Sequence, residues 1–134
     1  MPRPQPRFPE PDTQPFWHAT KEHKLTYQVC SNGHVIFYPR AHCPTCGSLD
    51  STTKESAGNG TVYTYSVVRL NRHPAFAPLG PYAVAYVDLD EGFRILTNIT
   101  GVADPVNEVR IGQRVKVAWD DQESGIALPL FTPA

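Results

Sequence analysis

Four residues stand out for chemistry by type and spacing: Cys30, His34, Cys43 and Cys46. In Cys43-Pro44-Thr45-Cys46-Gly47 two thiols lie two residues apart, close enough for one tight turn to deliver both to a single Zn²⁺, and Gly47 supplies the permissive backbone that follows. A ribbon needs a second pair about a dozen residues upstream. There Cys30 stands without a second cysteine, because Cys30-Ser31-Asn32-Gly33-His34 has Gly33 where the other thiol is wanted. His34 offers an imidazole in its place and completes a set of three cysteines and one histidine. His42 is a poorer candidate, being adjacent to Cys43. The competing reading is a hairpin that has lost its metal and is held by Val35, Phe37 and Tyr38. A redox pair is disfavoured, since that motif opens a helix after a strand and nothing helical follows Cys46.

The elements that must position these residues read as mainly β. Of 134 residues, 14 are proline and nine are glycine, which favours turns over long helices. Pro2, Pro4, Pro6, Pro9, Pro11 and Pro15 crowd the start, so residues 1–14 are expected to form a flexible, extended arm without packed structure. Asp12 or Thr13 can cap a short helix carrying Phe16, Trp17 and Thr20 on one side, ending by Lys24. Leu25 to Val29 then alternates like a strand, and Val35 to Tyr38 is a second. Ser48 to Gly60 is polar and holds Gly58-Asn59-Gly60, which marks a linker. The domain reading is therefore an arm (1–14), a helix with a zinc-ribbon-like unit (15–56) and a β domain (57–134).

Five strands with turns between them fill the last unit: Thr61 to Leu70, Tyr82 to Leu89, Phe93 to Thr100, Arg114 to Trp119 and Ile126 to Phe131. The second is nearly all apolar, as in a strand buried on both faces. The fourth points Val115, Val117 and Trp119 inward. Pro129 suggests that the fifth is an edge. The expected fold is a five-stranded barrel of the OB type, with a sandwich as the alternative.

Charge excludes some functions. Twelve basic against 13 acidic residues give a net charge of −1, so the basic field needed for nucleic acid is missing. A stand-alone OB module for single-stranded nucleic acid stays as the alternative reading, and it wants a basic groove with stacking aromatics. No apolar run approaches the ~20 residues of a membrane span, and no signal-peptide pattern opens the chain. An odd cysteine count argues against a secreted disulfide framework, so a cytoplasmic location is expected.

Several segments together resemble a known family. Phe16-Trp17, Tyr27 to Cys30, Tyr38-Pro39-Arg40 and Cys43 to Gly47 resemble the rubredoxin-like zinc ribbon of the DUF35 family. Gly60 to Val68, His73 to Phe76, Pro81-Tyr82 and Ile111 to Val115 are similar to the acyl-CoA-associated OB domain that follows it. The resemblance runs from about Phe16 to Pro133 in order, with Gly33 as the departure. It implies an accessory subunit, not catalytic alone, in a hetero-oligomer with a thiolase-like enzyme (a thiolase or retro-aldolase in steroid or aromatic-acid degradation). Acyl-CoA is then the ligand of the complex and zinc the metal.

The chain itself carries no nucleophile elbow, P-loop or dinucleotide fingerprint. Asp88, Asp90 and Glu91 read as a solvated turn, and His18 and His23 as surface or interface residues. Residues 69–81 hold three prolines and form a stiff loop that presents side chains at low ordering cost. Arg69 and Arg72 suit CoA phosphates, while His73 and Phe76, with Phe16 and Trp17 of the helix, suit a partner or a pantetheine arm. The plainer reading is a barrel loop whose Phe76 caps the core.

Overall fold

Alternating strands and short turns build two sheets in the computed structural model, which describes residues 3–134. Helix α1 (Gln14–Thr20) begins with Pro15 in its first turn, where a missing N–H costs nothing. It ends at Thr20, before the limit at Lys24 expected from sequence. Lys24 N donates to Ala19 O and His23 N to Thr20 O, a Schellman-type end with His23 in the left-handed region at φ 57°. A non-glycine residue there needs support. Its ring stacks on Trp119 at 5.4 Å and its Nε2 lies 2.6 Å from Asp121 Oδ1.

Strand β1 (Thr26–Cys30) pairs on one side with β2 (Val35–Ile36) and on the other with β3 (Ser51–Glu55). The third strand corrects the linker reading of 48–60, since residues 51–55 form the outer rung of the ribbon sheet. All five are exposed, and no apolar side chain marks them as a strand.

The barrel runs through β4 (Asn59–Val68), β5 (Tyr82–Leu89), β6 (Arg94–Ile99), β7 (Arg114–Asp121) and β8 (Ala127–Pro133), closed in the order β4-β5-β6-β8-β7. It is the five-stranded barrel expected, and the sandwich is excluded. Val62, Ala83, Ala85, Val87, Ile95, Ile99, Val115 and Phe131 fill the interior. Two details differ from expectation. β5 is buried on one face only, with Tyr86 outside. β8 is no free edge, for β7 pairs along it and β6 meets it at Ile99–Phe131. A single helical turn, α2 (Pro105–Glu108), falls between β6 and β7, where only a loop was expected.

Gly60 explains how closely the strands approach. A Cβ there would lie 2.6 Å from Asp88 O and 2.7 Å from a Val87 methyl, so the glycines read as a linker are the barrel's first packed residues.

The ribbon unit docks on the barrel through aromatic rings. Phe37 lies 5.8 Å from Phe16 and 4.7 Å from Phe93, and Tyr27 stacks on Phe93 at 5.0 Å. Each such pair adds about 1 kcal/mol beyond area burial. Thr20, fully buried, satisfies its hydroxyl by donating to Trp17 O and accepting from Ala127 N. The acidic hairpin is no free solvated turn. Asp88 pairs with Arg94, Asp90 with Arg114, and Glu91 accepts from Ser56 Oγ at 2.7 Å and Ala57 N at 2.8 Å. Glu91 thus clasps the connection between the two units. Glu91→Ala removes two charge-assisted bonds and is expected to cost about 2 kcal/mol, read as a lower urea midpoint with an unchanged slope.

The proline-rich arm has no helix or strand over residues 3–13, yet it packs against the rest of the chain. Gln5 exchanges hydrogen bonds with Gln122 and Ser124, and Phe8 stacks against Trp17 at 6.1 Å. Arg3 reaches Asn98 Oδ1 at 3.4 Å and lies 5.7 Å over the Phe76 ring. Prolines remove backbone donors but leave side chains free to bond, which is how this segment attaches.

Candidate metal centre and docking surface

Two turns converge at the tip of the ribbon. In the first, Gly33 N donates to Cys30 O with φ 85°, and Cys30 N donates to His34 O. In the second, Gly47 N donates to Cys43 O with φ 75°. Gly33 therefore takes the turn position itself, and His34, one residue on, points its ring back. The ligating atoms of Cys30, His34, Cys43 and Cys46 all lie within 4.8 Å of one another. Cys30 Sγ is 3.8 Å from Cys46 Sγ and 3.4 Å from His34 Nδ1. Ligand lengths near 2.3 Å for sulfur and 2.0–2.1 Å for nitrogen give tetrahedral edges of about 3.8 and 3.5 Å. The four donors fit zinc. His42 is exposed and is not one of these four.

The thiols differ in their readiness. Cys46 is exposed, and the Asn32 amide at 3.3 Å, the Ser48 backbone N–H and His34 lower its pKa to about 6. Burial pushes the Cys30 thiol up, against the opposing pull of backbone N–H groups from His34 and Asn32. Asn32 was not foreseen as a partner, and its position inside the first turn is the signal that could have found it.

The 69–81 loop is stiffened from within. Asn71 Nδ2 donates to Tyr82 Oη at 2.9 Å, while Asn71 Oδ1 accepts from His73 N. His73 Nδ1 accepts from Ala75 N at 3.1 Å, so that face of the ring is spent on its own turn. Phe76 is half-buried, 6.0 Å from Tyr82. Arg69 and Arg72 are exposed and form no ion pair among the described residues. Leu70 and Leu79 stand out beside them.

Phe16 and Trp17 lie elsewhere, in an apolar groove between α1, the ribbon and the β6–β8 seam. Tyr38, Leu96, Leu128 and Leu130 share its lining. Arg3 and Asn98 line both this groove and the one beside Phe76, so they join the two predicted docking regions. Neither was singled out from sequence. Arg94, an exposed cation on the barrel wall, sits 3.5 Å over Tyr63 but is paired with Asp88, so that face is no free basic platform. Among the described residues no helix is long and apolar enough to cross a membrane.

Two family models match the chain: the rubredoxin-like zinc ribbon domain of ChsH2 over residues 17–51 and the ChsH2 C-terminal OB-fold domain over residues 53–120. The chain is 40% identical over 89% of its length to a probable enoyl-CoA hydratase alpha subunit of Thermomonospora curvata, and spans 37% of that protein. It is 35% identical over 76% of its length to a DUF35 domain-containing scaffold protein of Pyrococcus furiosus, spanning 74% of it. Among solved structures, a chain of the Ltp2-ChsH2(DUF35) aldolase superposes with a TM-score of 0.84 at 37% identity, covering 96% of this chain and 98% of the other.

Proposed function

The chain belongs to the ChsH2, or DUF35, family of zinc-ribbon and OB-fold proteins, and from that premise we propose that it is a non-catalytic accessory subunit of a thiolase-like acyl-CoA enzyme. The observation that carries the reading is the near full-length likeness to the chain of the Ltp2-ChsH2(DUF35) aldolase. The names of the hydratase alpha subunit and of the scaffold protein point the same way.

The chemistry of the surface supports this division of labour. Clustered titratable groups are already committed: the cysteines and His34 to one another, and the acidic hairpin to Arg94, Arg114 and Ser56. What stays available is a stiff loop with half-buried Phe76 and two arginines that form no ion pair among the described residues, which suits recognition better than bond-making. Arg69 and Arg72 take the anionic side of a partner or the phosphates of its CoA ester. Zinc is held by Cys30, Cys43, Cys46 and His34 Nδ1, and its contribution is structural, fixing the two turns against each other.

Co-expression with candidate thiolase-like proteins tests the reading. A stable complex is expected, weakened about tenfold or more by Arg69→Glu with Arg72→Glu. Failure of every acyl-CoA enzyme to associate, or strong thioesterase turnover by the chain alone, overturns it.

A further inference from the structure

The groove beneath Trp17 combines three features that together specify a ligand. Its walls are apolar and come from three elements: Phe16 and Trp17 of α1, Tyr38 beyond β2, and Leu96, Leu128 and Leu130 of the seam. Leu96 stays half exposed there, at 50%. Water against such a surface is displaced favourably by an apolar chain.

The floor has few polar groups to spare. Leu96 N donates to Tyr38 Oη at 2.8 Å, and Thr97 Oγ1 donates to Pro129 O at 2.8 Å. Where β6 and β8 part, the strand edges are thus satisfied by side chains. An extended peptide would have to displace these bonds to pair, whereas a hydrocarbon chain leaves them intact.

One charge completes the site. Among the described residues Arg3 is the only lysine, arginine or acid side chain lining the groove, and it forms no ion pair there. Its guanidinium is already oriented by Asn98 and Phe76. A single cation beside an apolar trough is complementary to a single anionic end on an apolar body.

We propose that this groove binds a single-tailed carboxylate amphiphile, a fatty acid in chemical class, with its chain between α1 and the β6–β8 seam and its carboxylate on Arg3. The site belongs to this chain alone and does not depend on the accessory-subunit reading.

Titration of the purified full chain with cis-parinaric acid and with its neutral methyl ester tests the site. Saturable binding of one molecule per chain is expected. Leu96→Glu, at an exposed position that folding tolerates, abolishes binding of both probes. Arg3→Gln weakens the acid about tenfold and leaves the ester unchanged, as loss of one charge-assisted contact requires. Absence of saturable binding overturns the proposal, as does binding indifferent to Leu96→Glu. If Leu96→Glu instead breaks a self-association or a partner complex while parinarate never binds, the groove belongs to a protein and the proposal fails.

Discussion

Replacing Cys43 with serine is expected to take zinc from about one per chain to none and to melt the ribbon tip while the barrel persists. The asymmetry follows from where apolar area is buried. The ribbon's own core is a small cluster of Cys30, Ile36 and Cys43, and two of its three members belong to the thiol–imidazole cluster. Structural zinc contributes about 10–16 kcal/mol in isolated finger peptides, far more than that cluster supplies. The barrel has a separate interior built around Phe131, Val87 and Val115. Metal analysis and limited proteolysis between residues 30 and 50 read the outcome, and His34→Ala should behave alike. Zinc-free wild-type protein would establish the metal-free hairpin instead. Uptake also depends on pH. At neutral pH Cys46, near 6, is already a thiolate, while Cys30 keeps a proton that the metal must displace. Affinity therefore already falls with pH at neutrality, because the Cys30 proton must be displaced, and falls more steeply below about 6, where Cys46 takes up its own proton.

Gly60→Ala is expected to destabilise the barrel strongly. The added carbon meets the Asp88 carbonyl, and a backbone atom in a paired strand cannot step aside. Relief requires β4 to move away from β5 at the Gly60–Leu89 pairing, where β7 also meets β4. A loss of about 3 kcal/mol is expected, a large share of the roughly 5–15 kcal/mol that stabilises a domain. Asn59→Ala, an exposed neighbour, should stay within about 0.5 kcal/mol. Urea midpoints of the two variants make the comparison, and equal midpoints would show that the strands can part without cost.

The clustering of Cys30, His34, Cys43 and Cys46 was legible because its information is local. Cys43-Pro44-Thr45-Cys46 and Cys30 with His34 are each one turn, and only their meeting depends on β1 and β2. The strands were legible from alternation, Arg114 to Trp119 best of all. What escaped was long-range. Pro129 looked like an edge because nothing in the neighbouring sequence says that Ile99 will arrive beside Phe131. Glu91 looked solvated because its partners, Ser56 and Ala57, lie more than thirty residues earlier. Arg3 was hidden among prolines, and its contacts with Phe76 and Asn98 arise only once the barrel has formed.

Tyr38 gives the two-part appearance of the chain a different meaning. Its hydroxyl supplies an acceptor to Leu96 N, a rung that a neighbouring strand would normally provide. The ribbon is in that sense a patch over a hole in the barrel's wall. Severing the chain near residue 56 would strip the patch and leave a sticky strand border facing water. The boundary visible in the pattern of residues is therefore no seam along which the molecule can be divided.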